Sequence, residues 1–154
     1  RRNHPGGSLG ERLKVAVREV MLTGDKVPQI RKEETLEQAV AELNKKNIGA
    51  VLVVEESNEI CGIITDGDLR RHLLGEKWLY GGSRSGSDEI GKKITEAMTP
   101  NPITISGELM AADALSLMQR KDITVLAVAG EGNKVEGILH LHDLLGKGEF
   151  RFLI

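Results

Sequence analysis

The sequence contains two copies of one segment, and this duplication limits the possible folds more than any other feature of the chain. Residues 35–69 align with residues 110–144 at a single offset of 75 positions, without a gap, and 10 of the 35 aligned positions are identical. The identical pairs near the end of the segment are Gly62 and Gly137, Ile63 and Ile138, Asp68 and Asp143, and Leu69 and Leu144. Each copy is therefore expected to be one supersecondary unit, and two such small units should pack on each other because neither hides much surface alone.

Composition excludes several classes of function. The 154 residues carry a net charge of −2, so no basic surface is expected to hold the phosphate backbone of a nucleic acid. The single cysteine cannot form an internal disulfide, and the sequence has neither a membrane-spanning apolar run nor a signal-peptide pattern. These features predict a cytoplasmic protein with no nucleic acid and no membrane among its partners.

The first copy has a regular order of predicted secondary structure. Thr35 and Gln38 have the spacing of a capping box, which predicts a helix over about residues 36–46. The apolar runs Ala50–Val54 and Ile60–Ile64 flank a polar segment and predict a hairpin. A short strand near Val27–Ile30 is expected before this helix, at a sheet edge because it contains a proline, and a second helix is expected to begin near Asp66.

The second copy repeats this order, with its last helix beginning near His142. The predicted fold is therefore α/β (α+β), with the unit strand–helix–strand–strand–helix present twice. The residues expected to be buried are Leu36, Ala39, Val40, Leu43, Ile48, Val51, Val53, Ile63, Leu115, Met118, Val125 and Ile138.

The parts of the chain outside the repeats suggest a domain division. We divide the chain into residues 1–19, the tail and linker of an upstream domain; 20–74, the first repeat; 75–95, a flexible linker; 96–146, the second repeat; and 147–154, a C-terminal tail. Within the linker, residues 81–88 are rich in glycine and serine and are expected to be the most mobile internal segment.

The end of each repeat resembles the cystathionine-β-synthase (CBS) domain, in which Gly-apolar-apolar-Thr/Ser-x-x-Asp marks a strand-to-helix junction. The first copy matches this pattern with Gly62, Thr65 and Asp68, whereas the second has His140 where Thr or Ser is expected. The resemblance implies tandem CBS domains packed as a pseudo-twofold pair, with two clefts of the kind that commonly take adenine nucleotides. It implies no required cofactor.

The chemistry of such a junction fits a nucleotide. A helix N-terminus presents unpaired N–H groups and the positive end of the helix dipole, which suit a phosphate, while a carboxylate accepts from ribose hydroxyls. The candidate ligand-binding residues are Thr65, Asp68, Ile48, Ala50, Arg70, His140, Asp143 and Ile123. The alternative is that the acidic residues only cap the helix, that Arg71 is a solvated charge, and that His140 fills the second cleft.

The spacing of His140 and His142 leaves a metal site as a further alternative, but no third ligand is evident in the sequence and we assign no metal.

The first residues resemble the end of the sugar-isomerase domain of D-arabinose 5-phosphate isomerases, through His4-Pro5-Gly6-Gly7-Ser8-Leu9-Gly10. That resemblance implies a parent enzyme that converts D-ribulose 5-phosphate to D-arabinose 5-phosphate for Kdo and lipopolysaccharide biosynthesis. His4 matches an active-site histidine of the family, but it lacks a pocket and a partner base here, so the chain itself should be inactive. The effector implied is an adenine nucleotide or a CMP-sugar such as CMP-Kdo.

Two functions of different classes follow from these observations. In the first, the paired repeats bind a nucleotide or sugar nucleotide and regulate the isomerase. In the second, the repeats bind no ligand and serve as a structural module. A homodimer through the apolar helices of the pair, and a higher oligomer with the sugar-isomerase domain, are expected partners.

Overall fold

The computed structural model describes residues 9–71 and 93–145. The candidate residue His4 and the glycine-rich segment 81–88 lie outside these ranges. In the described part the chain has a mixed α+β fold with two sheets and six α-helices. In chain order the elements are α1 (Leu9–Arg12), β1 (Gln29–Arg31), α2 (Leu36–Lys46), β2 (Ala50–Val54), β3 (Ile60–Thr65), α3 (Asp66–Arg70), α4 (Ile94–Ala97), β4 (Thr99–Pro100), β5 (Thr104–Ile105), α5 (Ala111–Lys121), β6 (Val125–Ala129), β7 (Val135–His140) and α6 (Leu141–Leu145). Three short 3-10 helices are Val17–Glu19, Gly24–Lys26 and Glu131–Asn133.

The chain divides into two compact units, each built around one of the repeats. Among the described residues, the first-repeat unit comprises 25–71, 93–102 and 132–134. The second-repeat unit comprises the described residues 9–24, 103–131 and 135–145. Each unit therefore consists mainly of one repeat, together with a short segment from elsewhere in the sequence.

The sheet of the first-repeat unit has the order β1-β2-β3-β4. Strand β1 is parallel to β2, and the other pairs are antiparallel. All five residues of β2 are buried, which explains why this strand is continuously apolar in sequence. The core of the unit consists of Ile30, Leu36, Ala39, Leu43, Val51, Val53, Ile64, Leu69 and Ile94.

The second-repeat unit reproduces this arrangement with three strands. The order is β5-β6-β7, with β5 parallel to β6 and β6 antiparallel to β7. Its core consists of Val17, Ile105, Ala111, Ala114, Met118, Leu126, Val128, Leu139 and Leu144. The predicted order strand–helix–strand–strand–helix is thus confirmed in both units.

The two copies also agree in strand register. Val53 pairs with Gly62 in the first hairpin, and Val128 pairs with Gly137 in the second, at the 75-residue offset of the sequence repeat. In both hairpins the register shifts directly after this pair. The repeat therefore preserves the irregularity of the hairpin as well as its length.

The helix of each repeat ends in the same way. Asn47 caps the C-terminus of helix α2 and Asp122 caps that of helix α5, both with a φ of 58°. In this left-handed conformation the backbone N–H of each cap residue donates to a carbonyl of the last turn, Leu43 in one copy and Met118 in the other. Asn and Asp tolerate the conformation better than most residues with a side chain.

The predicted burial was right for seven of the twelve residues and too high for five. Leu36, Ala39, Leu43, Val51, Val53, Met118 and Ile138 are buried, whereas Val40, Ile48, Ile63, Leu115 and Val125 are partly exposed. The reason is clearest in β3, where Ile60, Gly62 and Ile64 are buried and the intervening residues are not. Alternate side chains of a strand point to opposite faces, and Ile63 lies on the more exposed face.

The described parts of the predicted N-terminal tail and linker contribute residues to the two cores. Residues 9–22, which we call the strap, belong to the second-repeat unit. Val17 of the strap is fully buried, and its N–H donates to the carbonyl of Leu109 at 2.7 Å. At the end of the predicted linker, Ile94 is also fully buried in the core of the first-repeat unit. Both segments lack a long periodic pattern, because each supplies only a few apolar residues to a core formed by distant sequence.

The strap approaches strand β7 closely at Gly137. The backbone N–H groups of Leu22 and Ile138 donate to each other's carbonyls at 2.8 and 3.0 Å. A Cβ atom at Gly137 would lie 2.6 Å from the carbonyl oxygen of Leu22, which is backbone and cannot rotate away. At the equivalent Gly62, a Cβ atom would meet mainly the flexible side chain of Met98. Gly137 is therefore required for this contact, and Gly62 is less strictly required.

We predict that Gly137→Ala destabilises the protein more than Gly62→Ala. The first substitution must displace the backbone of the strap, at about 1–3 kcal/mol as for other overpacked sites, while the second can be accommodated by a rotation of Met98. Urea denaturation of both variants measures the difference. An equal loss of unfolding free energy in the two variants would contradict the asymmetry.

Candidate functional site

The turn from β3 into α3 is held to the loop that follows α2. Ala50 of β2 and Thr65 of β3 are register partners, so they lie side by side at the sheet end. The N–H of Asp66, the first residue of α3, donates to the carbonyl of Gly49 at 3.1 Å. Gly49 has a φ of 86°, a conformation that favours glycine. The structure thus brings together Ala50, Thr65 and Asp68 at one corner, with Ile48 in the adjoining loop.

Thr65 and Asp68 form a reciprocal cap at the start of α3. The N–H of Asp68 donates to Thr65 Oγ1 at 3.1 Å, and the N–H of Thr65 donates to Asp68 Oδ2 at 3.0 Å. The capping interpretation is therefore correct for both residues. It does not exhaust their chemistry, because the hydroxyl proton of Thr65 is still available to a further acceptor.

Arg71 also contacts this turn, and its exposure fits the interpretation of Arg71 as a solvated charge on the helix face. Its Nη2 donates to Asp68 Oδ1 at 2.6 Å, although 74% of its side chain is exposed, against 13% for Asp68. The guanidinium also lies close to Gly67 in the first turn of α3. The i,i+3 spacing of Asp68 and Arg71 was the available signal. Arg70 is exposed and makes no hydrogen bond or ion pair with the described residues.

The turn from β7 into α6 is the equivalent site in the second-repeat unit. The N–H of Leu141 donates to the carbonyl of Thr124 at 2.8 Å, as Asp66 does to Gly49 in the first copy. His140 takes the position of Thr65 and is the register partner of Val125. Its Nδ1 accepts the backbone N–H of His142 at 3.1 Å. The imidazole therefore caps α6 through a ring nitrogen, where the first copy uses a hydroxyl.

The second turn differs from the first in the state of its carboxylate. Asp143 Oδ2 is buried and has no hydrogen-bond partner among the described residues, whereas both oxygens of the equivalent Asp68 are engaged. A buried acceptor without a donor is costly, so this oxygen is the unsatisfied group of the site. The second turn could satisfy it with a donor group from a bound molecule.

Burial lowers the pKa of His140 below its ordinary value, and the neighbouring His142 lowers it further, while Asp143 acts in the opposite direction. The two imidazole rings lie with their centroids 4.7 Å apart in an edge-to-face arrangement. The neutral ring is also the form that can accept a hydrogen bond at Nδ1, so the pKa shift and the cap favour the same protonation state.

The spacing argument for a metal at His140 and His142 assumed that both lie on one strand. The strand ends at His140, and His142 belongs to α6. In residues 9–71 and 93–145 no group of three or more His, Cys, Asp or Glu side chains could hold a metal ion. Of the remaining candidates, Ala50 is buried and Ile48 and Ile123 are partly buried.

None of the helices in the described ranges has the length and apolar character needed to span a bilayer.

We predict that His140→Thr weakens the pH dependence of stability between about pH 5 and pH 7. Because the folded-state pKa of His140 is lowered, the unfolded chain binds a proton first as the pH falls, and the neutral cap's contribution to stability is then lost. The wild-type unfolding free energy should fall more steeply with decreasing pH than that of the variant, which keeps a capping residue. Urea denaturation at several pH values measures this, and equal slopes would contradict the prediction.

Comparison with known proteins agrees with this geometry. The CBS domain family matches the chain twice, at residues 17–75 and 92–148. The chain is 42% identical over 146 residues to the arabinose 5-phosphate isomerase KdsD of Salmonella typhi, and 38% identical to that of Escherichia coli K12. Each alignment covers 95% of this chain and 41% of the relative, so the chain spans about two fifths of the length of these curated relatives.

Solved structures show the same fold at low sequence identity. A CBS domain protein from Bacillus anthracis has a TM-score of 0.73 at 22% identity, covering 88% of this chain and 94% of the other. The protein CBSX2 in complex with AMP has a TM-score of 0.71 at 18% identity, covering 91% and 99%. The CBS domain pair of the protein MJ0100, in complex with 5-methylthioadenosine and S-adenosyl-L-methionine, has a TM-score of 0.66 at 22% identity, covering 84% and 92%. With two matched repeats, two equivalent strand-to-helix turns and the same fold, the chain belongs to the CBS domain family.

Proposed function

We propose that this CBS pair is a regulatory module that binds a nucleotide or sugar nucleotide at the turns Thr65–Asp68 and His140–Asp143. The observation that carries the proposal is the first turn, where a hydroxyl donor, a carboxylate and an arginine converge on the start of α3. These three groups match the parts of a nucleotide, since phosphate accepts hydrogen bonds and ribose hydroxyls donate them.

The phosphate would meet the donors of the first turn. The N–H groups of Asp66 and Asp68 are already used, by Gly49 and by the Thr65 side chain. The N–H of Gly67 and the hydroxyl proton of Thr65 remain for a phosphate oxygen. Arg71 lies beside Gly67 and is mostly exposed, so its guanidinium can turn toward the phosphate.

The ribose would meet Asp68 and Asp143. Each carboxylate oxygen can accept more than one hydrogen bond, so Asp68 can receive ribose hydroxyls while it still caps α3. In the second turn Asp143 Oδ2 is the buried acceptor without a donor, which makes it a favourable partner for a ribose hydroxyl.

The comparisons support the class of ligand. CBSX2 is in complex with AMP, and the MJ0100 pair is in complex with 5-methylthioadenosine and S-adenosyl-L-methionine. All three molecules contain an adenosine group. We therefore propose an adenine nucleotide as one candidate effector and a CMP-sugar such as CMP-Kdo as the other, with neither acting as a required cofactor.

The relatives suggest the parent activity. Curated proteins up to 42% identical are arabinose 5-phosphate isomerases that are more than twice as long as this chain. We propose that the chain is the CBS part of such an isomerase, which interconverts D-ribulose 5-phosphate and D-arabinose 5-phosphate for Kdo synthesis. In this proposal His4 belongs to the catalytic domain, and the CBS pair is not itself catalytic.

We predict that a bound nucleotide raises the melting temperature and that Asp68→Ala removes most of this rise. A ligand at about 100 times its dissociation constant stabilises the folded state by about 2.7 kcal/mol. AMP, S-adenosyl-L-methionine, CMP and CMP-Kdo are the probes in a thermal-shift titration. Asp68→Asn, which can still accept the Thr65 N–H, should lose part of the ligand response with a smaller loss of unliganded stability.

The control separates loss of a cap from loss of a ligand contact. Thr35→Ala removes the equivalent cap from α2, where Gln38 N donates to Thr35 Oγ1 at 3.2 Å, at a cost of about 1 kcal/mol. It should lower the unliganded melting temperature without changing the shift that the ligand produces. Ligand shifts of the same size in wild type and Asp68→Ala would end the ribose assignment and leave Asp68 as a capping residue.

A structural role in self-association is the second candidate function. Among the described residues of the second-repeat unit, three large apolar side chains are exposed: Ile103 at 39%, Leu109 at 45% and Met110 at 40%. Leu109 and Met110 are adjacent, at the start of α5, and burial of such side chains is favourable in an oligomer. This surface, and not the turns, is the one that a homodimer is proposed to cover.

We predict that the isolated chain sediments as a dimer at high micromolar concentration and that Leu109→Glu shifts it toward monomer. The introduced carboxylate would be buried in the dimer interface, and the cost of burying this charge opposes association. Lys121→Glu, an exposed change at the opposite end of α5, is the matched control and should leave the mass unchanged. A monomeric wild type in analytical ultracentrifugation would count against this function without affecting the nucleotide proposal.

A further inference from the structure

The strap contacts the second-repeat unit on both sides of the His140–Asp143 turn. Before the turn, Leu22 exchanges two backbone hydrogen bonds with Ile138, two residues from His140. After the turn, Arg12 donates from Nη2 to the carbonyl of Leu145 at 2.8 Å and from Nε to that of Leu144 at 3.3 Å. The strap therefore contacts the chain both before and after the candidate ligand-binding turn in sequence.

The contacts from Arg12 hold the described part of α6 one turn beyond its start. A guanidinium that donates to two adjacent carbonyls forms charge-assisted hydrogen bonds with that stretch of backbone. The described residues Leu141–Leu145 span about 7.5 Å at about 1.5 Å per residue. The His140 cap and the Arg12 contacts therefore hold neighbouring parts of the same helix.

The strap also packs into the hydrophobic core that includes Leu144 of α6. Val17 is fully buried in the same core cluster as Leu144, and Leu13 and Val15 pack against that cluster. The carbonyls of Leu13 and Val15 accept the N–H groups of Ala112 and Ala111 at 3.0 and 2.8 Å. The strap and α6 therefore pack into one hydrophobic core.

We propose that Arg12 is a positioning residue for the His140–Asp143 turn, and that the strap is the element through which occupancy of this turn is communicated to the rest of the chain. The ligand part of this inference rests on the function proposed above. Arg12 contacts α6 at Leu144 and Leu145, and the helix connects this contact to the turn. By linkage, a group that holds α6 in place must favour a ligand that requires α6 in place, and the ligand must favour the ordered strap.

The first test uses His140 as a reporter and needs no ligand. The imidazole of His140 is titrated by NMR in the full chain, in the wild type and in Arg12→Gln. We expect Arg12→Gln to move the pKa of His140 up toward its ordinary value, because a loosened α6 exposes the ring and weakens the cap. Arg12→Lys, which keeps the charge, should restore part of the shift.

The matched control lies in the same strap. The side chain of Arg18 forms a long ion pair of 3.9 Å with Glu108 and is about half exposed. Arg18→Gln should therefore leave the titration of His140 as in the wild type. Wild-type titration of His140 in Arg12→Gln would overturn the inference. If Arg12→Gln fails to fold, Arg12→Lys becomes the test. A His140 titration in Arg12→Lys that is identical to the wild type would then overturn the inference.

The second test measures coupling to a ligand. Hydrogen exchange of residues 9–22 is followed with and without saturating AMP, and we expect slower exchange in the bound form. Arg12→Gln should weaken AMP binding about tenfold, within the usual range for coupled sites. AMP binding in the wild type with no change in strap exchange would overturn the communication role. No AMP binding in the wild type would instead count against the proposed adenine nucleotide, and the His140 titration would then decide the positioning role.

Discussion

One backbone hydrogen bond fixes the place where each repeat can act. In the first copy it joins Asp66 N–H to the Gly49 carbonyl at 3.1 Å, and in the second it joins Leu141 N–H to the Thr124 carbonyl at 2.8 Å. It ties the first residue of a short helix to the loop before the neighbouring strand. Because of this constraint, the residue at the strand end must cap the helix, and the acid three positions later lies at the same corner.

The two copies use this shared geometry with different chemistry. In the first, Thr65, Asp68 and Arg71 balance one another, with every oxygen of the carboxylate engaged. In the second, His140 supplies the cap, and Asp143 Oδ2 stays buried without a donor among the described residues. The first turn, with its exposed arginine, suits an anionic group. The unsatisfied carboxylate oxygen of the second turn suits a hydrogen-bond donor. The duplication thus gives one scaffold two turns of different chemistry.

The strap packs against the part of the structure that contains the second turn. Residues 9–22 are held against the second-repeat unit through Leu22, Val17 and Arg12, which lie along 11 residues of sequence. The close approach at Gly137, where a Cβ atom would collide with the Leu22 carbonyl, shows how tightly this segment fits. A helix held by its own cap and by the strap couples the two contacts, as the proposed regulatory role requires.

The sequence by itself determined the duplication, the order of elements in each copy, the bounds of α2 and the capping box of Thr35 and Gln38. These features depend on residues within a few positions of one another, so local spacing is sufficient to reveal them. It also pointed to Thr65, Asp68, His140 and Asp143. Only the tertiary structure decided which face of β3 is buried, that Val17 belongs to a core, and that Asp143 lacks a donor. The contact of Arg12 with Leu145 spans 133 residues. No local pattern encodes such a contact, because it exists only after the sheets and helices have brought the two segments together.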